Sequence, residues 1–341
     1  MTRTRKILVA LGCTAVAACI VAGIAYRSLF STFDISETAY VYVRPATTEA
    51  DIKAQLHDDC HARSLIGWQL LNRAFPFTPH TGRYAVEPTD DLLSVYRRLR
   101  RGQQTPVRLT IPSVRRLPRL AGVLANNLML DSAEVAEALA DSAVAASLGY
   151  TTATLPSLFI PNTYEVYWDI SLKAFLQRMQ REHDSFWQAD NRVQRAQALG
   201  FTPEEVATLA SIVDEETNYG PERARIAGLY INRLHRGMPL QADPTVKFAL
   251  GNDSLRRILN SHLTADSPYN TYRNTGLPPG PIRIATIASL DAVLDAEQHD
   301  YLYFCAKEDF SGSHNFARTY AEHMANARRY QKALNQRGIR K

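Results

Sequence analysis

The sequence predicts an α+β protein behind a single apolar N-terminal helix. Three observations lead there: a charge-free run from Ile7 to Tyr26, short alternating strand patterns interleaved with helical spacings up to about residue 150, and a mostly helical remainder with one small β element. With 341 residues, 45% apolar and 21% charged, the chain can build about two cores, and disordered, collagen-like or multi-span readings are excluded. The net charge of +5 falls to +2 once Arg3, Arg5 and Lys6 are set aside, so the basic balance gives no support to nucleic-acid binding.

The apolar run comes first. Twenty residues at about 1.5 Å each reach roughly 30 Å, the thickness of bilayer hydrocarbon. Arg3, Arg5 and Lys6 precede the run and only Arg27 closely follows it, so the positive-inside rule predicts residues 1–6 in the cytoplasm, an anchor over 7–26, and an extracytoplasmic body. A cleaved signal peptide competes, with Val16-Ala17-Ala18-Cys19 resembling a lipoprotein site, but the apolar run continues well past Cys19.

Beyond the anchor, Thr38 to Arg44 alternates as a strand, closed by Pro45 and followed by a helix from near Thr48. Gly82–Val86 is a second strand. Pro88-Thr89-Asp90 supplies helix-start chemistry for an apolar face of Leu92, Val95, Tyr96 and Leu99 that ends at Gly102, and Val107–Ile111 is a third strand. Leu117 to Leu139 has helical spacing, with a cap signature at Asp131. The Thr-rich stretch after Gly149 sets a boundary near 150, giving a small α+β module over 27–150 and a second domain over 151–341. In the second, helices are expected over Phe175–Trp187, from Thr202 (a capping box with Pro203 and Glu205), over Pro221–Leu234 and over Ile284–Ala296, then a strand over Tyr301–Cys305 and a closing helix from Tyr320.

Candidate chemistry concentrates in that second domain. On the helix opened by Thr202, about 100° per residue puts Leu209, Val213 and Glu216 on one face, with Asp214 and Glu215 turned away. A carboxylate on an apolar face at the negative end of a helix favours its protonated form, which suits a general acid near neutral pH. A structural Glu paired with Arg223 or Arg233 is the competing reading. Downstream, Gln241 and Asp243 stand at a helix start, and Tyr269-Asn270-Thr271-Tyr272 interleaves rings with hydrogen-bonding groups, a mixture suited to sugars but equally to turn and cap duties. Nucleotide, zinc-protease and serine-hydrolase signatures are absent from the sequence. Four cysteines imply neither metal nor cofactor: Cys13 and Cys19 lie in the apolar run, and Cys60 and Cys305 read as ordinary buried thiols.

Six ordered segments together resemble a known family: Phe159–Tyr164 (FIPNTY), Leu209–Thr217 (LASIVDEET), Ile231–Leu234 (INRL), Leu240–Val246 (LQADPTV), Tyr269–Tyr272 (YNTY) and Gly276–Gly280 (GLPPG). They are similar to those of the membrane-bound endolytic murein transglycosylases, also called YceG-like. The resemblance implies an anchor, a LysM-like module and a mainly α, lysozyme-like catalytic domain. It also implies Glu216 as the catalytic acid of the Glu-x-Glu-Thr pattern, with Gln241, Asp243, Tyr269, Asn270, Tyr272 and Asn315, the last in a turn after the Tyr301–Cys305 strand, as glycan-groove candidates. Here Asp214 replaces the first Glu of that pattern, Asn162 replaces an Asp, and Pro156-Ser157 replaces Glu-Gly. Implied partners are peptidoglycan strands, the membrane and peptidoglycan synthases. The implied reaction is cleavage of the β-1,4 bond with a 1,6-anhydro product that ends strand extension. A muramidase-like hydrolase and a non-catalytic wall anchor are the alternatives.

Overall fold

A computed structural model describes residues 3–253, 255 and 257–337. The expected cytoplasmic stretch 1–6 and the end of the expected catalytic domain therefore lie partly outside the described residues. The protein is α+β, about half helical with few strands, and divides into two compact units.

The first unit comprises Met1–Arg108 with Asn127–Met129 and Glu165–Ile170. It begins with α1 (Arg3–Leu29), whose segment Leu11–Leu29 is long and apolar enough to cross a membrane and is almost wholly unburied. There follow β1 (Ala39–Val43), α2 (Glu49–Asp58), α3 (Ile66–Ala74), β2 (Gly82–Val86), α4 (Leu92–Arg100) and β3 (Val107–Thr110). β1 and β2 pair antiparallel, Val41 opposite Tyr84, so alternate residues Val41, Val43, Tyr84 and Val86 enter one core with Ile52, Leu56 and Trp68. Thr48 and Asp51 cap α2 reciprocally. α3 carries no start signal in the sequence: its N-cap is Leu65, which supplies no capping side chain. Trp68 and Leu71 bury that helix, and the Trp68 indole donates to Glu49 at 2.8 Å.

The second unit holds Leu109–Asn126, Leu130–Tyr164 and Ser171–Lys341. Its helices are α5 (Leu117–Asn127), α6 (Ser132–Ala140), α7 (Ser142–Ser147), α8 (Leu172–Gln188), α9 (Arg192–Ala198), α10 (Pro203–Glu216), α11 (Arg223–His235), α12 (Asp243–Ala249), α13 (Ile287–Leu294) and α14 (Tyr320–Gln336). Thus α5 to α7, which the sequence reading grouped with the N-terminal module, belong to the second unit. β4 (Thr163–Val166), like β3, is divided between the units, Leu109, Thr110, Thr163 and Tyr164 lying in this one, and β5 (Tyr303–Ala306) and β6 (His314–Ala317) form an antiparallel pair. β4 and β6 are not among the expected strands; in β6 the polar pair His314-Asn315 breaks the alternation.

The centre of this unit is α10. Thr202 accepts from the Glu205 N–H while Glu205 accepts from the Thr202 N–H, with Pro203 at the first helical position. Every residue from Val206 to Asp214 is buried, against α11 and α13 through Ile226, Ala227, Leu290 and Val293. Periodicity assumed one buried face and one solvated face, which turned Asp214 and Glu215 outward. A helix covered on all sides has no outward face, so Asp214 is buried and Glu215 half-buried. All four cysteines are free thiols; Cys60 is buried and its pKa is pushed up to about 11 by desolvation.

Candidate active site

Three consecutive carboxylates close α10, and the protein treats each differently. Asp214 accepts from the Thr286 backbone N–H (2.7 Å), the Thr286 hydroxyl (2.7 Å) and the Ser289 hydroxyl (2.6 Å), with the Arg223 guanidinium 4.0 Å away. It fastens the start of α13 to the end of α10. Glu215 takes a two-pronged contact from Arg115 and a further bond from Arg283 Nη1 at 2.8 Å. These two acids are saturated with donors, which gives them a structural role.

Glu216 is different. It is the last residue of α10, and among the described residues its hydrogen-bond donor is the Tyr230 hydroxyl of α11, at 2.8 Å to Oε1. No ion pair to Arg223 or Arg233 forms: Arg233 instead donates to the Leu302 carbonyl (2.7 Å) and the Leu240 carbonyl (2.8 Å). Desolvation raises the Glu216 pKa from 4.5 to about 7; the Tyr230 bond opposes it, Asp243 and Glu215 add to it, and Lys247 slightly opposes it. The carboxyl is half-buried, so it keeps a path to a ligand while most of its hydration is lost. Tyr230 is buried, with its own pKa raised well above 10 by desolvation, so it stays a donor at every relevant pH.

The two downstream clusters, separate in the sequence, form one assembly. Gln241 N–H donates to the Thr271 carbonyl (3.0 Å), Ala242 N–H donates to the Thr271 hydroxyl (3.0 Å), and the buried Thr245 and Thr271 hydroxyls meet at 2.8 Å. Tyr272 then donates to Asp243 Oδ1 at 2.7 Å. Gln241 holds φ of 53°, an uncommon region for a side-chain-bearing residue, and its side chain is exposed. Asp243 and Tyr272 both act electrostatically on the groups around Glu216. Tyr269 stands half-buried beside Phe248, ring centroids 4.7 Å apart. Asn270 is fully buried and donates to the Leu263 and Ala265 carbonyls (2.9 and 2.8 Å), so its side chain shapes the loop rather than facing a ligand.

Asn315 departs from expectation. It lies in β6, opposite Cys305, not in a turn, and its amide donates to Glu308 at 2.7 Å. The structure brings Glu216, Asp243 and Tyr272 into mutual electrostatic reach and leaves Asn315 in a separate polar cluster with Glu308 and Arg329. Tyr230, Thr245, Thr271, Thr286, Ser289, Arg115 and Arg283 were not singled out for these roles in the sequence. Their partners are up to a hundred positions away, and no local spacing signals them.

The sequence profile of the YceG-like family matches residues 41–329. The chain belongs to the YceG-like family. A curated endolytic murein transglycosylase of Bacillus subtilis is 37% identical over 169 residues, half of this chain and 46% of that protein. One of Streptococcus pneumoniae is 30% identical over 156 residues, 45% of this chain and 28% of that protein. The match thus spans under half the length of these relatives. A crystal structure of a YceG-like protein from Listeria monocytogenes superposes with a TM-score of 0.58 at 27% identity, over 85% of this chain and 99% of that one. The departures of this YceG-like chain are locally accommodated: Asn162 accepts from the Thr163 N–H at 2.8 Å, and Asp214 makes the three bonds described above.

Proposed function

We propose that this chain is an endolytic peptidoglycan lytic transglycosylase. It cleaves the β-1,4 bond between N-acetylmuramic acid and N-acetylglucosamine and leaves a 1,6-anhydro end, so terminating a nascent strand. The observation that carries the reading is the contrast at the end of α10: two acids saturated by donors, and a third, Glu216, half-buried with a pKa near 7 and one hydroxyl partner. The names of the Bacillus and pneumococcal relatives agree with it.

In the proposed mechanism Glu216 begins protonated. Oε1 already accepts from Tyr230, so the acidic proton sits on Oε2, which delivers it to the glycosidic oxygen as the bond to C1 breaks. The C6 hydroxyl of the same muramyl residue then attacks C1 and returns its proton to Oε2. No water is consumed, and the nucleophile is already tethered, which supplies the effective concentration that a second carboxylate would otherwise give by positioning water. Asp243, Tyr272, Tyr269 and Gln241 are assigned to the glycan, with Asn270 as the residue that shapes their loop. The first unit, read as LysM-like, contacts the wall, and α1 serves as a single-span anchor with an extracytoplasmic body beside the synthases; its apolar segment Leu11–Leu29 is compatible with that.

A hydrolase reading draws on one observation: Asp243 is an exposed carboxylate close enough to Glu216 to raise its pKa, and it could activate water. Mass spectrometry of digested uncross-linked glycan separates the cases. Anhydro-muramyl ends support the transglycosylase; reducing ends alone indicate a muramidase. Glu216→Gln is expected to lower cleavage by at least about 10³-fold with the fold retained. Unchanged cleavage would remove Glu216 from its role, and no cleavage by the wild type would leave a wall-binding anchor.

A further inference from the structure

A cavity of about 350 Å³ opens in the second unit; it shares Tyr269 with the residues assigned above to the glycan and contains neither Glu216 nor Tyr230. Its volume lies at the lower end of ligand sites. Phe248 and Tyr269 line it as a ring pair, with Leu117, Leu139, Ala140 and Pro156, the last where the family resemblance has Glu. Arg115 and Arg116 complete the lining. Arg115 is held by Glu215, the residue preceding Glu216, and Arg116 binds Asp253 at 3.1 Å while its guanidinium lies 4.9 Å from the Phe248 ring centroid.

The chemistry of this lining selects among ligands. A sugar ring would bring hydroxyls to walls of leucine, alanine and proline that cannot hydrogen-bond them, at a cost of about 1–3 kcal/mol for each hydroxyl left unpaired. A short peptide with small aliphatic side chains and a carboxylate matches better: methyl groups against Leu139 and Phe248, the carboxylate at the guanidinium edge. Position supports it as well. Phe248 is five residues along α12 from Asp243, about 8 Å at the helical rise, and Tyr269 shares its loop with Tyr272.

We propose that this cavity receives the peptide stem carried by N-acetylmuramic acid, so that the enzyme recognises stem-bearing glycan in preference to bare glycan. The inference rests on the transglycosylase reading, because the stem branches from the sugar whose bond Glu216 would break.

The test uses the full-length chain in detergent micelles and two uncross-linked glycans of equal length, one with its stems and one stripped of them by an amidase. Anhydro-product formation gives kcat/KM for each. The wild type is expected to favour the stem-bearing strand by about tenfold, through KM, the size of one charge-assisted contact. Ala140 and Thr152 are exposed residues on the cavity lining. Ala140→Trp, and independently Thr152→Trp, should fill the cavity, abolish the preference and leave the rate on bare glycan within about twofold. Equal wild-type rates on the two strands, or a preference for bare glycan, would overturn the stem site and leave the transglycosylase reading intact. A preference that survives in both folded tryptophan variants would overturn the assignment to this cavity. No turnover of either strand by the wild type would instead overturn the reading beneath it.

Discussion

Helix α4 and helix α10 differ in one respect that governs how each can be understood. α4 lies on one side of a core: Leu92, Val95, Tyr96 and Leu99 are buried, while Arg97 and Arg100 are exposed. α10 is enclosed, with nine consecutive residues buried and Asp214 among them. In α4 the hydrophobic period says which side chains meet solvent. In α10 it says nothing of the kind, and the fate of each acid is set by donors that distant segments bring to it: Thr286 and Ser289 to Asp214, Arg115 and Arg283 to Glu215, Tyr230 to Glu216. An enclosed helix turns three adjacent carboxylates into three chemically distinct groups.

The contrast can be broken first at Asp214. Asp214→Ala strands the Thr286 N–H and two hydroxyls in a buried site, and a loss of about 3 kcal/mol in a urea melt is expected. Arg97→Ala on the exposed side of α4 should change stability by no more than about 0.5 kcal/mol. Comparable losses for the two would mean that α10 is not enclosed.

Glu216 should respond with the opposite sign. Its pKa rises from 4.5 to about 7 in the folded chain, so the native state holds more protons than the unfolded state between those values. Native stability therefore falls as pH increases through that window, and the cost is full above about pH 7. Glu216→Gln removes it. Discounting for the carboxyl's remaining contact with solvent, the variant should gain about 1–2 kcal/mol over the wild type at pH 8 relative to pH 4.5. A difference that is flat with pH would contradict the account.

The smallest effect belongs to the helix start. Thr202→Ala removes the bond to the Glu205 N–H and should cost about 1 kcal/mol, read as a fall in Tm with activity retained.

These cases also mark what the sequence could disclose. The capping boxes at Thr48, Thr202 and Thr319 all lie at helix starts; the one at Thr202 is legible in the sequence, because a cap is a matter of residues within three positions, while near Thr48 only the helix start is. Strands β1 and β2 were legible from alternation, and the one-sided helix α4 from its apolar spacing. α3 was not, for want of a capping residue, and neither was β6, where the polar pair His314-Asn315 breaks any alternation and led Asn315 to be read as a turn residue. At the site, a face argument leads to Glu216, which the structure half-buries beside Tyr230, but turns Asp214 outward, because the sequence does not carry the Thr286 and Ser289 donors near that acid. The union of the Gln241–Thr245 and Tyr269–Tyr272 segments through Thr245 and Thr271 depends on tertiary folding alone.

The central claim is that Glu216 is a carboxyl poised between its two protonation states by burial, with Tyr230 opposing. The most direct measurement is a ¹³C NMR titration of the Glu216 side-chain carboxyl in the folded full-length chain, assigned by its absence in Glu216→Gln and repeated in Tyr230→Phe. A midpoint near pH 7 that moves higher in Tyr230→Phe is the predicted result. A midpoint near 4.5, unmoved by loss of the Tyr230 hydroxyl, would contradict it.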